Sequence, residues 1–258
     1  MIADRYDAFL FDLDGVLYRG ADPVPMAAES LSRLRAIGKR IAFVTNNSGR
    51  TPGAVAERLR SVGVEARADE VETSALTTAA ILAHRGVGLV FVVGEVGLVE
   101  ALTLAGVRVL DGEPERVDAV VVGWDRGADY AKLRTASVLV QHGAELVATN
   151  PDASFPAEDG TRWPGAGALL AAIETTTGVR GEVIGKPYPP LLLAALERAG
   201  GGRPLLVGDR LDTDIAGAAG LGWDSMLVLT GIDGREQATA SRARPTYVAD
   251  DLTRLFAD

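Results

Sequence analysis

An α/β fold, a parallel sheet carrying helices on both faces, is predicted by two features of this sequence. Short apolar runs such as DAFLF, IAFVT and PLLVG stop at polar turns, as buried parallel strands do. Between them lie stretches with apolar residues at helical spacing, and repeated strand–helix alternation builds parallel sheets.

The first run, Asp7 to Phe11, is too short for a helix and ends at Asp12. Met26 to Ile37 carries Leu31, Leu34 and Ile37 at helical spacing and closes at Gly38, before Ile41 to Thr45 reads as a second buried strand. Thr51 and Pro52 form an N-cap and first-turn proline, so Gly53 to Arg60 is expected to be helical, with another helix from about Ser74 to His84. The alternation continues through LVFVV, a helix over Val96 to Ala105, VRVL, DAVVVG, a helix over Tyr130 to Gln141, and ELVAT. Helical spacing returns at Ala168 to Glu174. EVI, a helix from Pro190 to Ala199 and PLLVG follow, and SMLVL and TYV are the last strand-like runs.

At 258 residues the chain is long enough for a core domain plus an inserted one. Hydrophobic residues at 47% and charged residues at 24% are ordinary globular values. With no cysteine, disulfides, thiolate metal sites and cysteine nucleophiles are excluded. The two histidines, His84 and His142, sit near expected helix ends, where a cation complements the dipole, which argues against a histidine-based triad or zinc site. No signal-like N-terminus and no run of about 18 apolar residues occurs, so the expectation is a soluble, cytoplasmic protein without a membrane partner. A net charge of -9 without a basic, aromatic-interleaved cluster disfavours nucleic acid. A small anionic ligand requires a local positive site instead.

Functional residues of a parallel α/β sheet lie beyond the carboxyl ends of its strands. Four polar segments fall there. Asp12-Leu13-Asp14-Gly15 projects two carboxylates from one tight turn, a pair suited to metal binding, nucleophilic attack and proton transfer; alone it would read as an Asx turn. Thr45-Asn46-Asn47-Ser48 offers a hydroxyl, amides and backbone N–H groups able to hold phosphate oxygens, although a polar turn has the same composition. Gly185-Lys186-Pro187 supplies one cation; the P-loop it faintly resembles is ruled out by Arg180 and Pro187 at positions requiring Gly and Ser/Thr. Asp209, Asp212 and Asp214 add carboxylates that suit a hard cation such as magnesium, although Asp212 or Asp214 could instead N-cap a helix. Each segment has a bland explanation, but four in a row after buried strands make a site.

In order, FDLDGVLY, VTNNSGRTP, GKP and GDRLDTD resemble the four motifs of the haloacid dehalogenase superfamily of phosphotransferases. The spacing is similar to the class IIA, p-nitrophenylphosphatase-like branch, and VVVGWDR, ATNPDASFP and PGAG resemble that branch's cap motifs. Gly49 departs from the pattern, since relatives often carry a second serine there. The resemblance implies a Rossmann-like catalytic core over residues 1–80 and 183–258, with an α/β cap over 81–182 inserted between the second and third motifs. It also implies a Mg2+-dependent phosphatase in which Asp12 attacks phosphorus, forming an aspartyl-phosphate, and Asp14 serves as acid and base. The magnesium ligands would be the Asp12 carboxylate, the Asp14 backbone carbonyl and Asp209, with Asp214 bracing the site. Thr45, the backbone around Asn46, Lys186 and, beside them, Asn47 would bind phosphate.

Asp14 matches the phosphatase and mutase pattern, which disfavours carbon–halogen cleavage. The alternatives are a sugar-phosphate phosphotransferase or mutase, and a non-catalytic metabolite-binding protein. The expected partner is a small phosphorylated metabolite: phosphoglycolate, glycerol phosphate, pyridoxal phosphate or a nucleoside monophosphate. Arg162 and Trp163 are candidates for contact with its leaving group, though Trp163 could equally be cap core or an interface anchor. Homodimerisation through the cap is carried by the resemblance alone.

Overall fold

A computed structural model describes residues 1–156 and 161–257, without the side chain of Pro156. Its contacts divide the chain into two units: Met1–Thr45, Pro52–Glu72 and Lys186–Asp258 form the first, Asn46–Thr51 and Thr73–Gly185 the second. The sequence put the boundaries near residues 80 and 182. The contacts put them at 72/73 and 185/186, and assign the segment 46–51 to the second unit. The Ser74–His84 helix goes with that unit because Ala75, Ala79 and Leu82 pack among Val90, Val92, Leu98 and Leu102.

The first unit is built on a six-stranded sheet in the order Tyr247–Ala249, Asp224–Val228, Pro204–Gly208, Ala8–Phe11, Arg40–Thr45, Val71–Thr73. Alternate side chains enter opposite layers, as period-two geometry requires. Phe9, Phe11, Ile41, Phe43, Leu205 and Val207 face the layer that holds helices Ala27–Ala36 and Pro52–Ser61. Ala8, Leu10, Ala42, Val44 and Leu206 face the helix Pro189–Arg198. Burial on both faces explains why these strands read as continuous apolar runs.

From the Ala8–Phe11 strand the chain builds outward first through Arg40–Thr45 and Val71–Thr73. It later returns to the other side through Pro204–Gly208. That reversal of strand order opens a crevice at the carboxyl end of the first strand, where α/β sheets bind ligands. Phe11 pairs in register with both Phe43 and Val207, so Asp12, Thr45 and Asp209 leave the sheet at the same edge.

The second unit has its own parallel sheet, ordered Glu182–Val183, Glu145–Ala148, Ala119–Val122, Leu89–Val93, Arg108–Leu110. One face packs on helices Ser74–His84 and Val96–Leu104, the other on Tyr130–Gln141 and Ala166–Thr177. Thr73 caps the first of these helices by accepting from Leu76 N at 3.1 Å. Asp129 caps the third by accepting from Lys132 N at 2.7 Å. The helix 166–177 ends in Gly178, whose φ of 73° favours glycine. Two antiparallel hairpins, Tyr18–Arg19 with Asp22–Pro23 and Ser154–Pro156 with Arg162–Pro164, the edge strand Val71–Thr73 and the helix Arg235–Ala240 are elements the sequence reading did not include.

Phe43 is fully buried in the first unit's larger layer. Phe43→Ala is expected to destabilise that unit by about 3–5 kcal/mol, read as a lowered urea midpoint by far-ultraviolet circular dichroism.

Candidate active site

The first unit's site starts from Lys186, which the strand Glu182–Val183 leads into and which is 2% exposed. A buried ammonium needs compensation. It donates to Asp12 Oδ1 at 2.6 Å, to Asp214 Oδ1 at 2.6 Å and, more weakly, to the Val44 carbonyl at 3.4 Å. Burial works against the Lys186 ammonium, but Asp12 and Asp214 overcome that effect and hold its pKa above the usual lysine value. Asp12 follows the central strand directly, and its own N–H is tied to the Val207 carbonyl at 2.9 Å. Asp214 lies in a short wide-turned helix, Leu211–Ile215, and its Oδ2 accepts from Arg210 N at 3.2 Å. Asp214 is therefore not an N-cap: it lies inside this helix, reaches back to Arg210 N with one oxygen and holds Lys186 with the other.

Asp209 completes the acidic cluster: one carboxylate oxygen each from Asp12, Asp209 and Asp214 lie within 4.8 Å of one another. Its Oδ2 accepts from Ile232 N at 2.8 Å. Its Oδ1 is buried without a hydrogen-bond partner, an acceptor that a bound cation would satisfy. Burial, then the charge of Asp214, raise the Asp209 pKa to about 7. Burial chiefly, with Asp214 and Asp209, also pushes Asp12 well above the carboxylate range, against the opposing pull of Lys186. Three carboxylates against one ammonium leave two formal negative charges in a buried site. A divalent cation bound through oxygen neutralises that excess, so the donor set fits a hard metal such as magnesium.

Asp14 is half-buried in the turn after Asp12, bridged to Tyr18. Thr45 is buried at the end of the strand beside Asp12. Asp212 is drawn away: Arg210 forks its carboxylate at 3.0 and 2.8 Å and, first among the causes, lowers its pKa.

The remaining polar residues of the second motif belong to the second unit. The Asn46 carbonyl accepts from Ser74 Oγ and Asn150 Nδ2, both at 2.7 Å, and its amide donates to Asp152 at 3.2 Å. Asn47 Oδ1 accepts from Gly49 N at 2.9 Å, which shapes the turn. Ser48 Oγ accepts from Trp124 N and pairs with the Thr149 hydroxyl, both at 3.1 Å. A Cβ on Gly49 would come within 3.0 Å of the Trp124 ring and 3.2 Å of Glu95. Glycine at that departure from the motif is thus matched to its neighbours.

Arg162 and Trp163 are exposed on a hairpin strand of the second unit, Trp163 at 45%. Trp163 is therefore not a core residue; buried Trp124, with its ring centroid 4.4 Å from that of Phe155 and the planes tilted by 30°, has that place. Ser74, Asn150 and Asp152, which hold the Asn46 segment, were not singled out by residue in the sequence reading, though ATNPDASFP contains two of them. His84 and His142 stand at the ends of their helices, as expected.

A parallel sheet with carboxylates at its switch point and a buried lysine between them defines a hydrolase, and this chain belongs to the haloacid dehalogenase-like hydrolase family. A model of that family matches residues 9–108, and a second HAD-hydrolase-like model matches residues 183–255. The chain is 39% identical over 257 residues to the acid sugar phosphatase of Staphylococcus aureus, covering 98% of both chains. The crystal structure of the glycerol phosphate phosphatase of Mycobacterium tuberculosis in complex with magnesium superposes with a TM-score of 0.93 at 39% identity, over 98% of this chain and 77% of that one. The p-nitrophenyl phosphatase from Archaeoglobus fulgidus matches with a TM-score of 0.90 at 35% identity, over 98% and 99% of the two chains. These similarities are to the class IIA, p-nitrophenylphosphatase-like branch.

Because the folded-state pKa of Asp209 is raised, between about pH 4 and pH 7 the metal-free folded protein holds a proton that the unfolded chain has released. Its stability therefore falls as pH rises through that window. Thermal unfolding in chelator is expected to show this fall, and magnesium to raise the melting temperature more at pH 8 than at pH 5.

Proposed function

We propose that this chain is a magnesium-dependent phosphatase, acting on small phosphomonoesters such as phosphoglycolate, glycerol phosphate or a sugar phosphate by way of an aspartyl-phosphate on Asp12. The observation that carries the reading is the Asp12–Asp209–Asp214 cluster paired with buried Lys186, with one Asp209 oxygen lacking a partner. The relatives are named as an acid sugar phosphatase, a glycerol phosphate phosphatase and a p-nitrophenyl phosphatase, and the phosphatase chemistry they share supports a phosphomonoester substrate here.

Asp12 and Asp209 would hold the metal through carboxylate oxygens, and Asp14 through its backbone carbonyl, with Asp214 bracing the site through Lys186. Bound magnesium supplies the positive charge that lets an anionic ester approach these carboxylates. Asp12 attacks phosphorus: a bond forms from its carboxylate oxygen as the ester P–O bond breaks, and Asp14 gives its proton to the departing oxygen. Water then attacks the phosphoryl group, Asp14 takes up a proton from it, and the P–O bond to Asp12 breaks. Thr45, the Asn46 backbone, Asn47 and Lys186 bind the phosphoryl oxygens, where charge must be stabilised during transfer. Held by two carboxylates, Lys186 stays ionised, with an ammonium that has three donors to distribute.

The second unit is read as the cap that selects the leaving group, with Arg162 and Trp163 exposed on its hairpin for that purpose. We place the protein in the cytoplasm; among the described residues no helix is long and apolar enough to cross a membrane.

Phosphate release from a panel of phosphomonoesters is expected with magnesium and to vanish in excess chelator; release that persists in chelator overturns the metal role. Asp12→Asn is expected to abolish turnover in a protein that still folds by circular dichroism, with a lowered melting temperature because Lys186 loses one of its two carboxylate partners, and retained activity would remove the covalent route. In 18O-water the released phosphate should carry one solvent oxygen, whereas transfer to an organic hydroxyl would show no label and favour a phosphotransferase. Trp163→Ala is expected to change the ranking of substrates more than the rate on p-nitrophenyl phosphate, and an unchanged ranking excludes it from selection.

A further inference from the structure

The loop after the Asp224–Val228 strand, Thr230-Gly231-Ile232-Asp233, reaches each segment that carries an acidic ligand, and no motif of the sequence reading includes it. Thr230 Oγ1 donates to the Gly15 carbonyl at 2.6 Å. Ile232 N donates to Asp209 Oδ2 at 2.8 Å, and Asp233 N donates to the Asp209 carbonyl at 3.1 Å. Asp233 Oδ2 accepts from Leu211 N at 2.7 Å, at the start of the turn that carries Asp214.

Sterics reinforce these bonds. A Cβ on Gly231 would collide with Oδ2, Cβ and Cγ of Asp209, and one on Gly15, whose φ is +80°, would collide with the same carboxylate and approach Gly231. The Asp209 carboxylate is therefore wedged between two glycines from two different loops.

We propose that this loop is a positioning device for the metal site, with Thr230 and Gly231 as its two determining residues. The inference rests on the phosphatase reading above. Two consequences of the geometry carry it. First, the Ile232 N–H occupies Asp209 Oδ2, which leaves Oδ1 as the buried oxygen without a partner, so the loop selects the oxygen that faces the cation. Second, the trans peptide between Asp14 and Gly15 has its N–H on the Tyr18 carbonyl at 2.8 Å, so the Asp14 carbonyl points the opposite way. Thr230 fixes the next peptide plane by holding the Gly15 carbonyl. One loop thus holds the Asp209 carboxylate directly and, through the Gly15 carbonyl, braces the turn that carries the Asp14 carbonyl, two segments separated by nearly 200 residues of chain. Partners behind metal ligands commonly control affinity by 10–100-fold.

The test is calorimetric titration of magnesium into chelator-treated full-length protein, with circular dichroism and melting temperature in chelator as controls for folding. T230V, which keeps the shape but removes the donor, is expected to weaken magnesium about 10-fold or more, and T230S to restore affinity near wild type. G231A is expected to weaken it at least as much. A folded T230V that binds magnesium as tightly as wild type overturns the inference; should T230V fail to fold, G231A decides on the same criterion. Wild-type protein that takes up no magnesium would instead overturn the phosphatase reading, and the positioning role with it.

Discussion

The rest of the site depends on one buried ammonium between two carboxylates. Lys186 meets Asp12 and Asp214 at 2.6 Å each, and neither the lysine nor Asp214 has appreciable contact with solvent. Burying these charges is expensive, and removing one partner of such a set typically costs about 3–5 kcal/mol because an uncompensated charge remains. The surrounding backbone therefore has little freedom: the central strand must end at Asp12, and the segment after Gly208 must turn sharply enough to bring Asp214 back. A Cβ on Gly208 would collide with the Asp214 carboxylate, so the close approach requires glycine there.

The ion set is not self-sufficient. Burial first, and then the neighbouring carboxylates, raise the pKa of Asp12 and Asp209. Strong perturbation of carboxylates by burial together with specific charged neighbours is characteristic of functional sites. Here three acids stand around one base in the crevice at the switch point of the sheet.

Division of labour between the two units follows from where polar residues are spent. In the first unit the carboxylates converge on one point. In the second, polar side chains hold the chain: Ser74 and Asn150 both grip the Asn46 carbonyl, and Ser48 is tied to Trp124 and Thr149. The motif Thr45-Asn46-Asn47-Ser48, which reads as one continuous phosphate-binding turn, is thus shared, with Thr45 in one unit and the rest in the other.

Strands and most helices were legible because their signals are local: apolar runs too short for helices, helical spacing, and the Thr51-Pro52 start of the helix Pro52–Ser61. The four motifs were legible because parallel strands deliver functional residues at their carboxyl ends. The same rule, applied to SMLVL, would have pointed to Thr230 and Gly231, but a threonine and a glycine after a strand are indistinguishable from an ordinary turn until their partners are known. Hairpin strands of two or three residues, as at Tyr18–Arg19 and Arg162–Pro164, are too short to show any period. By itself, then, the sequence determined the fold class, the order of the strands' polar ends and the chemical types available there. Tertiary structure alone decided which carboxylates meet Lys186, that Arg210 draws Asp212 away, where the unit boundaries fall and which oxygen of Asp209 is left over. Those outcomes depend on contacts between residues far apart in the chain, and no local pattern encodes them.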